Sequence, residues 1–297
     1  MTVGSVFFSM LEFSALTLAK ASGLKPLLTH SYSRLCDYVF ATVLLWRDMW
    51  PLDFAVFDKT VFMRIEVTEG QKGYMLPVGG DLMRSFEVLD SFCPGEKLFY
   101  NVPQIEIEAI RKHYDIVSVE TIGSGGDYIY DAASMAALSG RKLHGQRNHA
   151  NYFERTWKYR FENITDANVD DVKAFIKSKA VTASSELFFE GNRKTFELLD
   201  NLDIYGFTSL ALYAQDEIVG FTFGSLLGDT LYVTIEQADR DYRGAYPVLA
   251  SNFVSRHLDA GAVFVNREDD LGDEGLRRSK LAWHPCEIVE RFAVVVR

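Results

Sequence analysis

The segment 207–237, FTSLALYAQDEIVGFTFGSLLGDTLYVTIEQ, is the part of the sequence that most constrains the fold. It contains three runs rich in apolar residues, and such runs are typical of strands that pack against a core. The short polar stretches QDE and LGDT separate the runs, and their composition matches the turns of antiparallel hairpins. The segment therefore predicts a three-stranded antiparallel meander.

The elements after this meander favour one fold class. A helix over GAYPVLASNFVSRHLDAG, a strand over AVFVN, a short helix over EGLRRSKLAW and a strand over EIVERFAVVV follow in order. This is the order of the C-terminal half of the N-acetyltransferase-like (GNAT) fold. The first half of the chain has a similar order. Its predicted elements are a helix over SRLCDYVFATVLLW, strands over DFAVFD, VFMRIEV and GYMLPV, a helix over LMRSFEVLDSF capped by Asp81, and KLFYNV, QIEIEAIRKHY and DIVSVET.

We therefore predict an α+β fold of tandem GNAT-like domains, with mixed sheets flanked by helices. The predicted division is an N-terminal domain over 1–140, a connecting helix and strand over 141–165, and a C-terminal domain over 166–297.

Composition narrows the class of protein further. The formal net charge of -10 argues against indiscriminate binding to nucleic acid or to anionic membranes. The three cysteines are far apart in sequence, so neither a disulfide framework nor a zinc site is predicted. Reduced thiols favour a cytoplasmic location. The apolar N-terminus is interrupted by Glu12, so no transmembrane segment is predicted there.

The segment 140–160 is basic although the chain as a whole is acidic. Its lysines and arginines outnumber its one carboxylate, Glu154, by five charges. On a helical wheel the segment has an apolar side and a polar side that lie nearly opposite each other. The apolar side contains Leu143, Ala150, Phe153 and Trp157, and the polar side contains His144, Asn148, Asn151 and Arg155.

Two readings of this polar side stay open: a solvated helix face, and a wall that binds an anionic or hydroxyl-rich ligand. A metal site is not predicted, because His144 and His149 point to different faces of one helix.

The segment 265–285, VNREDDLGDEGLRRSKLAWHP, places charged residues where an apolar strand ends. Ligands bind at that edge of open α/β sheets, and the free N–H groups of the following helix can hold an anion. The alternative is an ordinary charged loop with a helix cap. The charged residues are Arg267, Glu268, Asp269, Asp270, Arg277, Arg278 and Lys280.

The segment 230–246, TLYVTIEQADRDYRGAY, contains a candidate general base and the positions at which an acetyl-CoA-binding loop would be expected. Glu236 lies near a strand end, where a carboxylate can act as a general base or bind an amine. An acetyl-CoA loop would place Arg or Gln at 241 and a small residue at 246, but Asp241 and Tyr246 occupy these positions. A carboxylate beside a pyrophosphate is unfavourable, so we predict weak or no binding of acetyl-CoA and no other cofactor.

Three of these segments also carry a family resemblance. DYIYDAASMAALSGRKLHGQRNHANYFE, IEQADRDYRGAY and NREDDLGDEGLRRSKLAWHP resemble the signature segments of the phosphatidylglycerol lysyltransferase C-terminal-like domain family. The family consists of tandem-GNAT bacterial proteins and is similar to the synthase domain of multiple peptide resistance factors. The resemblance covers nearly the whole chain, including the early CDYVFATVLLWRD. It implies aminoacyl transfer from aminoacyl-tRNA to a lipid or to another hydroxyl or amine acceptor.

On this hypothesis the charged residues have distinct roles. Glu236 or Asp269 would be the base or the amine-recognition group, while Arg267 and Lys280 would contact the oxyanion or an acceptor phosphate. The donor or its phosphates would lie against the basic segment, at His144, Arg147, Asn148, Asn151 and Arg155. Two alternatives remain: a non-catalytic binding or regulatory module on a tandem-GNAT scaffold, and an N-acyltransferase with an unusual acyl donor.

Overall fold

The computed structural model describes residues 11–28, 30–180 and 186–297. The first ten residues of the apolar N-terminus lie outside the described residues. The chain forms two compact units, one of residues up to Asp127 together with Val289–Arg297 and one of Tyr128–Ile288. This division lies outside the predicted connecting segment 141–165, because the helix of that segment packs into the core of the second unit. No helix within the described ranges has both the length and the apolar character needed to cross a bilayer.

The first unit is a mixed sheet with helices. Its elements are β1 Ser14–Ala15, α1 Leu18–Leu24, α2 Phe40–Trp46, β2 Leu52–Phe57, β3 Thr60–Thr68, β4 Gln71–Tyr74, α3 Leu82–Phe92, β5 Lys97–Pro103 and α4 Ile107–Arg111. The strands β1 to β4 pair antiparallel in chain order, and β4 pairs in parallel with β5. Two long strands, β6 Ile116–Asp131 and β12 Glu287–Val296, have residues in both units. The first-unit part of β12 pairs antiparallel with β5.

Local sequence signals account for much of this unit, with one correction. The predicted turn between β2 and β3 has Asp58 and Lys59 at φ 48° and 63°, and Asp81 caps α3 through the Arg84 amide at 2.9 Å. The predicted helix over 33–46 is wrong at its start, since α2 begins at Phe40. Leu35 and Val39 are extended, with ψ 133° and 121°, so the chain before α2 does not continue as one helix. The Cys36 amide, between them, donates to the Asp127 carboxylate at 2.7 Å.

The second unit has a sheet whose strands follow the order β6, β11, β10, β9, β8, β7. Among the described strands of this sheet, β10 and β11 pair in parallel and the other neighbours pair antiparallel. Its elements after β6 are α5 Ala132–Ala137, α6 His144–Thr156, β7 Tyr159–Glu162, α7 Val169–Ala180, α8 Glu186–Leu199, α9 Leu202–Tyr205, β8 Thr208–Ala214, β9 Glu217–Leu227, β10 Thr230–Ala238, α10 Ala245–Leu258, β11 Phe264–Asn266 and α11 Glu274–Leu281. The predicted meander is confirmed as β8, β9 and β10, joined at 215–216 and 228–229.

Both units repeat one order of elements. In each, a three-stranded meander is followed by a helix, a strand and a helix, and then by one of the two long strands, β6 or β12, whose residues are divided between the units. In each, the third strand of the meander also pairs in parallel with the strand after the helix, β4 with β5 and β10 with β11. The predicted α+β fold of tandem GNAT-like units is confirmed.

The helix α6 is attached to the second unit by its apolar side. Leu143, Ala150 and Phe153 are buried in the core of that unit, and Trp157 packs against the same core, as the helical wheel predicts. The helix also lies close to the start of α10, where Gly244 has φ 95°. A β-carbon at Gly244 would collide with the His149 carbonyl oxygen, so only glycine fits at this position.

Candidate active site

The site begins where two parallel strands of the second unit separate. The strands β10 and β11 are paired from Thr230 with Phe264 to Tyr232 with Asn266, and β11 ends there. The strand β10 continues to Ala238 and contains a register shift against β9 between residues 233 and 235. Irregularities of this kind redirect side chains and are common beside active sites.

Glu236 and Arg267 form an ion pair at this separation. The Arg267 Nη2 atom donates to Glu236 Oε1 at 2.6 Å. Both side chains are largely removed from solvent, with 7% of Glu236 and 11% of Arg267 exposed. Both residues are among the site residues predicted from the sequence, and the structure brings them together although they are 31 positions apart.

The pair has two properties that suit group transfer. Burial raises the pKa of Glu236 above its ordinary value, against the opposing effect of the Arg267 and Lys280 charges. A carboxylate with a raised pKa is a better general base near neutral pH. The second terminal nitrogen of Arg267, Nη1, is buried and has no hydrogen-bond partner within the part of the chain that the structure describes. An unused buried donor of this kind can stabilise a developing oxyanion.

Lys280 shapes the loop that contains Arg267. Its Nζ atom donates to the carbonyl oxygens of Arg267 at 2.6 Å and Glu268 at 3.1 Å, and also to that of Asp269. A lysine ammonium has three N–H donors, and these three hydrogen bonds match that number. Lys280 therefore positions Arg267, while its predicted contact with an oxyanion or phosphate, like the predicted role of the Asp269 carboxylate, stays a prediction.

Asp270 anchors the other end of this loop. Its buried carboxylate accepts from the Tyr128 hydroxyl at 2.6 Å, from Arg277 Nε at 2.8 Å and from the Gly272 amide at 2.9 Å. The hydrogen bond from Arg277 holds the pKa of Asp270 below its usual range. The loop that follows β11 is thus fixed at two points, by Lys280 and by Asp270.

Two aromatic residues next to the pair are absent from the predicted site. The Trp283 ring centroid lies 5.3 Å from the guanidinium carbon of Arg267, and the Tyr130 hydroxyl donates to the Lys280 carbonyl at 2.9 Å. Burial raises the pKa of Tyr130, on which the charges of Arg267 and Glu236 also act. The sequence did contain a signal for these two site residues, because Tyr130 lies in the motif DYIYDAASM and Trp283 lies in the motif SKLAWHP.

The predicted donor-binding face of α6 lies on the exposed surface of the second unit. His144, Asn148, Asn151 and Arg155 are all exposed, and their hydrogen bonds remain within the helix. The Asn148 amide lies 3.3 Å from His144 Nδ1, and Arg155 Nε donates to the Asn151 carbonyl at 3.0 Å. Binding of RNA or another anion to this face stays a prediction.

Arg147 has a structural contact that the other residues of this set lack. Its Nη1 atom donates to the Leu138 carbonyl at 2.6 Å and the Gly140 carbonyl at 3.2 Å, just after the end of α5. We expect Arg147→Ala to lower the free energy of unfolding by about 1.5–3 kcal/mol, the usual range for a hydrogen bond to a charged group. Arg155→Ala, on the same helix, is the matched control and should change it by less than about 0.5 kcal/mol. Urea denaturation measures both, and equal stabilities would contradict this assignment.

Among the residues described, no group of three or more His, Cys, Asp or Glu side chains is arranged to hold an ion.

Comparison with known proteins shows the family to which the chain belongs. A family model described as phosphatidylglycerol lysyltransferase, C-terminal, matches residues 30–295. The chain is also 29% identical over 197 residues to an uncharacterized protein of Mycoplasmoides gallisepticum. That match covers 65% of this chain and spans only 62% of the length of the relative.

Two solved structures show the same fold. One is a conserved protein of unknown function from Bacteroides thetaiotaomicron, with 29% identity, a TM-score of 0.82, and coverage of 97% of this chain and 100% of that chain. The other is the C-terminal DUF2156 domain of a putative lysylphosphatidylglycerol synthetase from Agrobacterium fabrum. It has 15% identity, a TM-score of 0.61, and coverage of 94% of this chain and 92% of that chain.

Proposed function

Because the chain belongs to the phosphatidylglycerol lysyltransferase C-terminal family, we propose that it is an aminoacyltransferase with Glu236 and Arg267 as its reaction centre. The donor is an aminoacyl-tRNA, and the acceptor is the hydroxyl group of a lipid such as phosphatidylglycerol. The observation that carries this proposal is the buried Glu236–Arg267 pair, whose Nη1 donor has no partner within the described residues. An activated ester needs orientation, proton removal and oxyanion stabilisation, and this pair can supply the last two.

The proposed step conserves atoms and charge. The acceptor hydroxyl oxygen attacks the ester carbonyl carbon of the donor, and Glu236 takes the hydroxyl proton. The oxyanion that forms is stabilised by Arg267 Nη1. When the bond from the carbonyl carbon to the ribose oxygen breaks, the proton passes from Glu236 to that leaving oxygen. The products are an aminoacyl ester of the acceptor and a tRNA with a free terminal hydroxyl.

The test is a transfer assay with the purified chain. The chain is incubated with labelled aminoacyl-tRNAs and a lipid extract that contains phosphatidylglycerol, and the lipid fraction is examined for label. We expect a labelled lipid whose formation depends on the chain and on an intact ester donor. If no acceptor becomes labelled with any aminoacyl-tRNA, the non-catalytic binding module becomes the better description.

We also propose that acetyl-CoA is not the donor. Before α10 the Asp241 amide donates to the Asp239 carboxylate at 3.0 Å, and that carboxylate is also paired with Lys179. Asp241 itself is exposed, so it would add a negative charge where a pyrophosphate would need cations. We expect calorimetry to give an acetyl-CoA Kd of roughly 1 mM or weaker. Asp241→Arg should bind acetyl-CoA more tightly than the natural chain. Micromolar affinity of the natural chain would contradict the proposal.

A further inference from the structure

The long strand β6 has one edge that is open along its first half. Up to Asp127 this strand belongs to the first unit, where β12 lies along one of its two edges. That pairing starts at Asp115 and Arg297, which exchange two backbone hydrogen bonds at 3.2 and 2.9 Å. The other neighbour of β6 is β11, and it pairs with residues 129–131. Among the described strands, none pairs with the second edge of β6 over residues 116–122.

The side chains along this open edge are accessible too. Val117 and Val119 lie on the same face of the strand and are 44% and 40% exposed. The other residues of 116–122 are exposed or half-buried. Natural proteins often protect such an edge with lysine or proline, but the segment IVSVETI contains neither. The segment is therefore suited to pairing with a further strand.

The order of residues in IVSVETI fits a second copy of the same segment. Two copies can be laid antiparallel with Val119 at the centre, so that each residue faces one of similar character. The opposed pairs are Ile116 with Ile122, Val117 with Thr121, Ser118 with Glu120, and Val119 with its own copy. Cross-strand pairs of β-branched residues stabilise an antiparallel sheet, and no two like charges are opposed in this register.

Other registers of the same two strands are less favourable. An antiparallel pairing centred on Glu120 opposes two carboxylates, and a parallel pairing in register does the same. An antiparallel pairing centred on Ser118 opposes Glu120 to Ile116. The pairing centred on Val119 is also symmetric about a two-fold axis, so it closes at two copies and does not continue into a fibre.

We propose that the chain forms a symmetric dimer in which the open edges of two β6 strands pair antiparallel over residues 116–122, with Val119 at the centre. The sheet of the first unit then continues from one copy into the other. This pairing involves one short strand from each copy, and small interfaces of this kind are typical of weak association. The dimer should therefore form and dissociate with concentration.

Analytical ultracentrifugation of the full chain over a range of concentrations measures this association. We expect a monomer at low concentration and a dimer at high concentration. Val119→Lys should raise the dimer dissociation constant about tenfold or more, because two ammonium groups then face each other at the centre of the pairing. Val56→Lys is the matched control, since Val56 is 42% exposed on β2 of the same unit and its replacement should leave association unchanged.

Disulfide formation tests the register without adding a charge to the edge. In a chain with Cys93→Ser and Cys286→Ser, Val119→Cys places a thiol opposite its own copy, where the two Cβ atoms lie about 4.5–5.5 Å apart. Mild oxidation with diamide should then join the two chains. Thr121→Cys in the same background is the control, because its thiol is roughly 13 Å from its copy along the strand and should not be joined.

Three results would overturn the inference. The first is a chain that stays monomeric at ~1 mM. The second is a dimer that Val56→Lys weakens as much as Val119→Lys does. The third is a dimer that Thr121→Cys joins as readily as Val119→Cys. None of these measurements depends on turnover, so their outcome is independent of the aminoacyl transfer assay.

Discussion

Arg267→Ala is expected to lower kcat for aminoacyl transfer about 10²- to 10³-fold, the usual effect of removing one oxyanion donor. The physical reason is that Nη1 is buried and unpaired within the described residues, so it is available to a charge that develops only during the reaction. The alanine variant also leaves Glu236 buried without its partner, and its folding must be checked by thermal denaturation. Arg267→Lys separates the two effects, because it keeps a cation beside Glu236 but removes the second terminal nitrogen. It should remain folded and still lose most of its activity.

Glu236→Gln tests the other half of the pair. The amide retains an oxygen that can accept from Arg267, but it cannot take a proton, and we expect a 10²- to 10⁴-fold loss of kcat, roughly the contribution of a general base. The base must be ionised to act, so the natural chain should lose activity as the pH falls through the raised pKa of Glu236. That limb of the pH profile should be absent from Glu236→Gln.

Arg278→Ala is the matched control for both variants. Arg278 is an exposed residue of α11 and lies in the same sequence motif as Arg267. Its loss should leave kcat unchanged. If the Arg267 and Glu236 variants retain activity within about threefold of Arg278→Ala, the reaction centre lies elsewhere.

The second large effect is expected when Arg291 is replaced, and it concerns the stability of the first unit. Arg291 lies between two carboxylates: its Nε donates to Asp37 Oδ2 at 2.7 Å, and its Nη2 donates to Asp127. Arg291 is 9% exposed and Asp127 is fully buried. Removing one partner from a buried ion pair costs about 3–5 kcal/mol, because the remaining charge stays uncompensated. Arg291→Met should therefore lower the free energy of unfolding of this unit by about that amount.

Urea denaturation with probes on both units measures this change. Glu290→Ala is the neighbouring control, since Glu290 is exposed and its loss should change stability by less than about 0.5 kcal/mol. Adding Asp127→Asn to Arg291→Met should recover part of the loss, because one of the two facing carboxylates is then neutral. A change below about 1 kcal/mol in Arg291→Met would show that the cluster contributes little to folding.

The sequence by itself determined those elements whose signals are local. The meander from β8 to β10 follows from local composition and from turn residues, and the Asp81 cap follows from one side chain and an amide three residues later. The residues predicted for the apolar side of α6 likewise pack in the core. These features depend on interactions within a few positions, so a local pattern is sufficient to predict them.

Only the tertiary structure decided which distant residues meet. The start of α2 differs from the predicted helix because Leu35 and Val39 are extended. The Cys36 amide between them binds Asp127, 91 positions away, and no local pattern contains that contact. For the same reason Glu236 and Arg267 could be selected singly by charge and position but not as a pair, and Tyr130 and Trp283 were not selected. The limits of the two units depend on long strands, since β12 returns the end of the chain to the first unit. Strand pairing between remote segments is determined by how the sheets assemble, and it therefore follows from the packed fold rather than from the spacing of residues along the chain.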